Sequence, residues 1–327
     1  LVPRERAELV KNAGYWDKTR IAKTDRIILL PIPDALTRAN ALLNGQVDII
    51  ETPPPDVLPQ LKSSGFKLVT NVTPHVWPYH FSTFPGSPWT DIRVRKAANL
   101  AIDRDGIVAL MNGLATPAVG QLDATSPWFG KPTFKIKYDA AAARALMAQA
   151  GYGPSKPLKA KIAIAQGGTG QMLSLPMNEY IQQSLAEVGI QVEFEVVELE
   201  TLYLKWRSGA KGDINASKGV TGLNLGYVTA DPFYALTRFV DSRYIAPNGV
   251  NWGGYSNPKM DATLDQIRTS FDVKTQDKLL AQVHQTMVDE ALMLWVVHDV
   301  NPHAISPKVK GFVQAQHWFQ DLTTIRM

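Results

Sequence analysis

The chain has 327 residues, 45% of them hydrophobic and 20% charged, enough to bury a substantial core and to form more than one domain. Its 34 basic and 30 acidic residues give a net charge of +4 without a basic block, which argues against a nucleic-acid partner. The absence of cysteine excludes disulfides, thiolate nucleophiles and thiolate metal sites, and is compatible with an oxidising compartment.

In chain order, Leu1 to Arg6 lacks the apolar run of a signal peptide, and no segment approaches the roughly 18 uninterrupted apolar residues of a membrane span. Arg26 to Ile32 reads as a buried strand, Asp34 caps a helix through Leu43, and Val47 to Ile50 reads as a second strand. A short helix from Asp56 to Leu61 and a strand from Lys67 to Thr73 follow, and Pro74 and Pro78 bracket a crossing that contains Trp77, with Tyr79 just beyond. The Trp89 to Gly113 segment reads as two helices, with Arg93, Arg95 and Lys96 forming a solvated face.

Asp139 caps an alanine-rich helix from Ala140 to Ala150 that closes at Gly151. Leu158 to Ala165, Met172 to Val188 and Ile190 to Val197 form a strand, helix and strand: a βαβ unit. Helices are expected over Glu200 to Arg207, Pro232 to Phe239 on an Asp231 cap, Ser256 to Phe271 and Thr275 to Leu292. Leu292 to Val297 is a short strand, and Asn301 to Pro307 reads as a return crossing.

Binding chemistry concentrates in a few places. Gly167, Gly168, Thr169 and Gly170 sit between strand and helix, where backbone N–H groups can receive an oxygen-rich group. Gln171 and Met172 follow where a phosphate-binding loop needs lysine and a hydroxyl residue, so the nucleotide reading fails, and a plain tight turn is the competing one. Trp206, Tyr227, Asp231, Asn251 and Trp252 form a set of ring faces and oriented polar groups suited to a small-molecule pocket, set against core packing or helix capping for each.

The six histidines make no metal-ligating spacing, so neither a metal nor another cofactor is expected. His75 and His80 lie near the first crossing, His298 and His303 near the second, and their spacing leaves open whether they meet. A hydrolase using His298 and Asp299 is the competing reading from another class; no Gly-x-Ser-x-Gly supports it.

An ordered series then carries a resemblance: Asn12-Ala13-Gly14-Tyr15-Trp16, Ile32-Pro33-Asp34-Ala35, Leu43-Asn44-Gly45-Gln46-Val47-Asp48-Ile49, Asp91 to Ala97 running into Ala101-Ile102-Asp103-Arg104, Gly189-Ile190-Gln191-Val192, Ala230-Asp231-Pro232 and Lys308 to Phe312. The chain resembles the extracytoplasmic solute-binding proteins of ABC importers, of the peptide- and nickel-binding (family 5) type. The resemblance implies an α/β, two-lobe periplasmic-binding-protein fold with hinge crossings, its first lobe incomplete in this chain: residues 1–77 part of lobe I, 78–302 lobe II, 303–327 the return to lobe I.

It also implies a periplasmic or extracytoplasmic location, a small-molecule solute, an ABC permease in the membrane, and a missing N-terminal portion of the same protein or a companion chain. Where peptide receptors carry a tryptophan and an aspartate before the Asp-Pro pair, Leu225 and Val228 stand here, and Leu199 replaces another aromatic residue. The expected ligand is therefore a sugar, sugar conjugate or opine-like compound, with a peptide as the alternative, held by Trp77, Tyr79, Gly168, Thr169, Trp206, Tyr227, Asp231, Asn251 and Trp252.

Overall fold

The structure, a computed structural model, describes residues 2, 5–71, 73–168, 170–228, 231–317 and 319–327, with only the backbone at 227 and 228. The ladder begins with β1 (Ala7–Val10), β2 (Arg26–Leu29), α1 (Ala35–Leu43), β3 (Ile49–Glu51), α2 (Leu58–Ser63) and β4 (Lys67–Val69). It continues with β5 (His75–Phe81), α3 (Ile92–Ala101), α4 (Arg104–Leu110), β6 (Ala115–Pro117), α5 (Ala140–Gln149), β7 (Leu158–Ala165), α6 (Ser174–Glu187), β8 (Ile190–Val197), α7 (Leu199–Ser208), α8 (Asp213–Ala216) and β9 (Val220–Asn224). The last elements are β10 (Tyr227–Val228), α9 (Pro232–Thr237), α10 (Pro258–Thr269), α11 (Val273–Asp289), β11 (Met293–Asp299) and β12 (His303–Ile305).

Two units result, Leu1–Thr73 with Val300–Met327 and Pro74–Asp299. Trp77 and its neighbours belong to β5, a fully buried strand of the larger unit.

In the smaller unit, β12 lies between β3 and β4 and pairs antiparallel with both. Ala39 and Leu42 of α1 and Leu61 of α2 pack on Ile50 and Ala304, while Ile305 joins Val309 and Ile325 in a second cluster. Asp34 caps α1 by accepting the Thr37 N–H at 2.7 Å, as its sequence position predicts. Strands β1 and β2 form a separate antiparallel ribbon. It departs from expectation: Leu9, Val10, Ile28 and Leu29 are 45, 72, 45 and 46% exposed, so a composition that reads as a buried strand forms an uncovered one.

The larger unit is built on a sheet in the order β6-β11-β5-β9-β7-β8, with β10 paired to the start of β5. Strand β7 runs parallel to β8 on one side and to β9 on the other, while the β9–β5, β5–β11 and β11–β6 pairs are antiparallel. The β7 and β8 bounds match the sequence reading, because β7 is an apolar-rich run that ends at the Gly167–Gly168 turn and β8 is one that begins directly after Gly189.

One face of the sheet packs Ala163, Ala165 and Val220 against Leu202 and Trp206 of α7 and the apolar stripes of α10 and α11. The expected solvated charges of α3 are only partly so. Arg95 is buried and donates to the carbonyls of Glu290, Ala291, Trp89 and Thr90, and Arg104 at the start of α4 is buried on those of Ala118, Trp295, Asn99 and Ile102. Helical periodicity counts such residues as polar; their long stems reach carbonyls that local pattern cannot see.

Candidate functional site

Strand β7 is followed by α6 and then β8 on its right-hand flank, whereas β8 is followed by α7 and α8 and then β9 on the opposite flank of β7. Right-handed crossovers in opposite directions put α6 and α7 on opposite faces of the sheet. The loops leaving β7 and β9 therefore diverge at a topological switch point, where open α/β sheets bind ligands beyond the carboxyl ends of the strands.

The platform below these loops is a buried polar network. Asn178 of α6 donates to the Ser174 carbonyl at 2.8 Å and to Asn224 Oδ1 at 3.3 Å, and accepts from the Tyr79 hydroxyl; Asn224 donates to the Pro78 carbonyl at 3.0 Å. These bonds join β5, β9 and α6 and fix the end of the sheet. Burial holds the Tyr79 phenol well above its ordinary pKa, so it donates as a neutral group.

The loop after β7 needs its glycines. Gly168 and Gly170 have φ of 127° and 78°, and a Cβ on Gly168 would meet Leu199 Cδ2 at 2.5 Å. Gln171 then turns inward, fully buried, and its Oε1 accepts the N–H of Gly226 in the loop after β9 at 3.4 Å. Gly226 is packed tightly enough that a Cβ there would lie 2.2 Å from the Gly170 carbonyl and 2.6 Å from His75 Nε2. Further along the chain, Asp231 accepts the Tyr234 N–H at 2.6 Å and caps α9.

Of the residues singled out from sequence, Gly168 lies on the loop after β7, Asp231 caps α9, and Trp77 and Tyr79 lie on β5. Trp77 and Tyr79 are fully buried, their rings meeting edge-on at 5.6 Å. Thr169 lies outside the described residues, as does the side chain of Tyr227.

Trp206, Asn251 and Trp252 lie in the core of the larger unit. Trp252 is buried with Nε1 donating to the Lys205 carbonyl at 3.1 Å, and the Asn251 amide donates to the carbonyls of Asp241 and Tyr255 and accepts the Tyr255 N–H. Trp206 is nearly buried beneath Arg238, whose guanidinium stands 5.2 Å from its ring and 4.3 Å from that of Tyr234. Burial lowers the pKa of Arg238 to about 10; burial and then the Arg238 charge hold His80 at about 4, hence neutral.

His75 and His298 do meet: His298 Nδ1 lies 3.3 Å from the His75 carbonyl, and His75 pairs with Asp299. His303 belongs to the other unit, beside Glu51. Both members of the proposed hydrolytic pair are thus buried within the sheet. Among the described residues no group of three histidine, aspartate or glutamate side chains is arranged to hold a metal ion, and no helix is long and apolar enough to cross a membrane.

Residues 1–243 match the sequence profile of bacterial extracellular solute-binding proteins, family 5. The chain belongs to this family. Its members are transport receptors and not enzymes, so the hydrolase reading of His298 and Asp299 gives way.

This family 5 protein is 27% identical over 311 residues to the glutathione-binding protein GsiB of Pectobacterium atrosepticum, covering 92% of this chain and 57% of that one. It is 25% identical over 321 residues to the periplasmic murein peptide-binding protein MppA of Escherichia coli, covering 95% and 56%. The same fold occurs in the periplasmic binding protein DppA of Helicobacter pylori in complex with the peptide STSA, with a TM-score of 0.84 at 22% identity, covering 99% of this chain and 61% of that one. The chain thus spans rather more than half the length of the relatives it matches.

Proposed function

We propose that this chain is the ligand-orienting part of an ABC-importer receptor for a peptide-like solute, held without chemical change and delivered to a membrane permease. The observation that carries the reading is the pair of glycine-dependent turns, at Gly168 and Gly170 after β7 and at Gly226 after β9, at the switch-point end of these strands. The relatives, named for glutathione and for murein peptide, favour the peptide alternative over the sugar, sugar-conjugate or opine-like ligand expected from sequence. Backbone-lined loops suit this ligand, because a peptide presents alternating carbonyl and N–H groups for which main chain is the natural partner.

The location proposed for the receptor is extracytoplasmic. The β1–β2 ribbon, apolar and uncovered, supports a further polypeptide packing on the smaller unit, as the family 5 N-terminal portion or a companion chain would do. Titration calorimetry with tri-alanine, reduced glutathione and sucrose tests the ligand class. One peptide bound per chain and recovered unaltered supports the reading; hydrolysed peptide, or heat from sucrose alone, overturns it.

A further inference from the structure

The geometry points to Gln171 as a ligand-recognising donor of this site, its Nε2–H group directed at a carbonyl or carboxylate oxygen of the solute. The inference deepens the proposed receptor function and rests on it.

Gln171 is fully buried, and its Nε2 has no hydrogen-bond partner among the described residues. Buried polar side-chain atoms are almost always paired, because an orphaned donor costs about 1–3 kcal/mol of desolvation. Rotating the amide by half a turn gives no escape. The Gly226 N–H is a donor that needs an oxygen, so Oε1 faces it at 3.4 Å and the NH₂ group is left over.

The side chain also reaches across the switch point, from the loop after β7 to the first residues after β9, the position at which a ligand meets the carboxyl end of the sheet. Trp77, near the start of β5 at this end of the sheet, is a second fully buried side chain whose donor, Nε1, has no partner among the described residues. Both orphans are N–H groups. A solute that satisfies them must bring acceptors, which peptide carbonyls and carboxylates do and an ammonium group does not.

The roles of structural and ligand-binding glutamine separate in one experiment on the full chain, with Q171L and Q171E compared with wild type by thermal unfolding and by calorimetry with tri-alanine and reduced glutathione. Q171L removes the orphaned donor together with the acceptor of the Gly226 N–H, two opposing changes in the empty protein, so it is expected to unfold close to the wild-type temperature while losing roughly tenfold in affinity for whichever probe binds. Q171E keeps the oxygen for Gly226 but sets a carboxylate against the solute's acceptor, and is expected to bind more weakly still.

A Q171L protein that unfolds several degrees below wild type, or that binds the probe with wild-type affinity, overturns the inference. A wild type that responds to neither probe overturns the peptide reading instead, and the unfolding temperature of Q171L then decides the role of Gln171 alone: close to wild type supports it, several degrees below refutes it.

Discussion

His75 Nδ1 and Asp299 Oδ2 lie 3.4 Å apart, both buried, and join the first residue of β5 to the last residue of β11. These are the points at which the chain enters and leaves the larger unit, so one side-chain pair ties the two connections together. Replacing the carboxylate weakens that tie at both connections. Asp299→Asn is therefore expected to destabilise the protein by about 1–3 kcal/mol. Urea unfolding at neutral pH measures this, and an unchanged midpoint would show that the pair carries no weight.

The acid sensitivity of the fold has a distinct window. Burial is the main cause that lowers His80, His284 and His298 from 6.5 to about 4. His284 is typical: Nε2 accepts the Leu122 N–H at 3.1 Å, Nδ1 lies 2.7 Å from the Phe129 carbonyl, and the neutral ring clips the 120–130 loop to α11. The unfolded chain takes up protons near pH 6.5 while the folded chain resists until about pH 4. The stabilisation is thus complete above 6.5 and is lost as pH falls through 4, by up to about 3 kcal/mol per histidine. Denaturant midpoints at pH 7 and pH 4.5 are expected to differ accordingly, and His284→Gln, which keeps a donor and an acceptor but does not titrate, is expected to narrow the difference.

Arg104 satisfies four carbonyls from α3, the α3–α4 turn, β11 and the residue after β6, and burial lowers its pKa to about 9. Arg104→Met fills much of the volume but leaves those oxygens without donors. A loss of more than about 3 kcal/mol is expected. Arg104→Lys supplies three donors from a single point in place of a planar fork, and is expected to recover only part of it in the same thermal unfolding measurement.

What the sequence discloses and what it hides follow one physical divide. Asp34, Asp139 and Asp231 all cap helices where the sequence puts them, and β7 and β8 are read to the residue, because caps and strand runs depend on neighbours in the chain. Arg95 and Arg104 were hidden because their partners lie up to about two hundred residues away. Trp252 and Asn251 have the composition of a pocket and the position of a core turn, a distinction that only packing draws. Gln171 had a visible signal, its place directly after the glycine loop, but it served in the sequence only to exclude a phosphate site.

The β1–β2 ribbon offers the last test. A two-stranded sheet with both faces wet is marginal alone, and Val10 and Leu29 contribute little to this chain's own core. Val10→Asp with Leu29→Asp is therefore expected to shift the stability of the larger unit by no more than about 0.5 kcal/mol. If the ribbon is a seat for further polypeptide, the same double variant lowers the binding of a dye that fluoresces on apolar surface, and abolishes co-purification with an added family 5 N-terminal segment that the unaltered chain retains. Retention of that segment by the double variant would move the docking surface elsewhere, because two buried carboxylates without partners cost more than such an interface of two short strands returns.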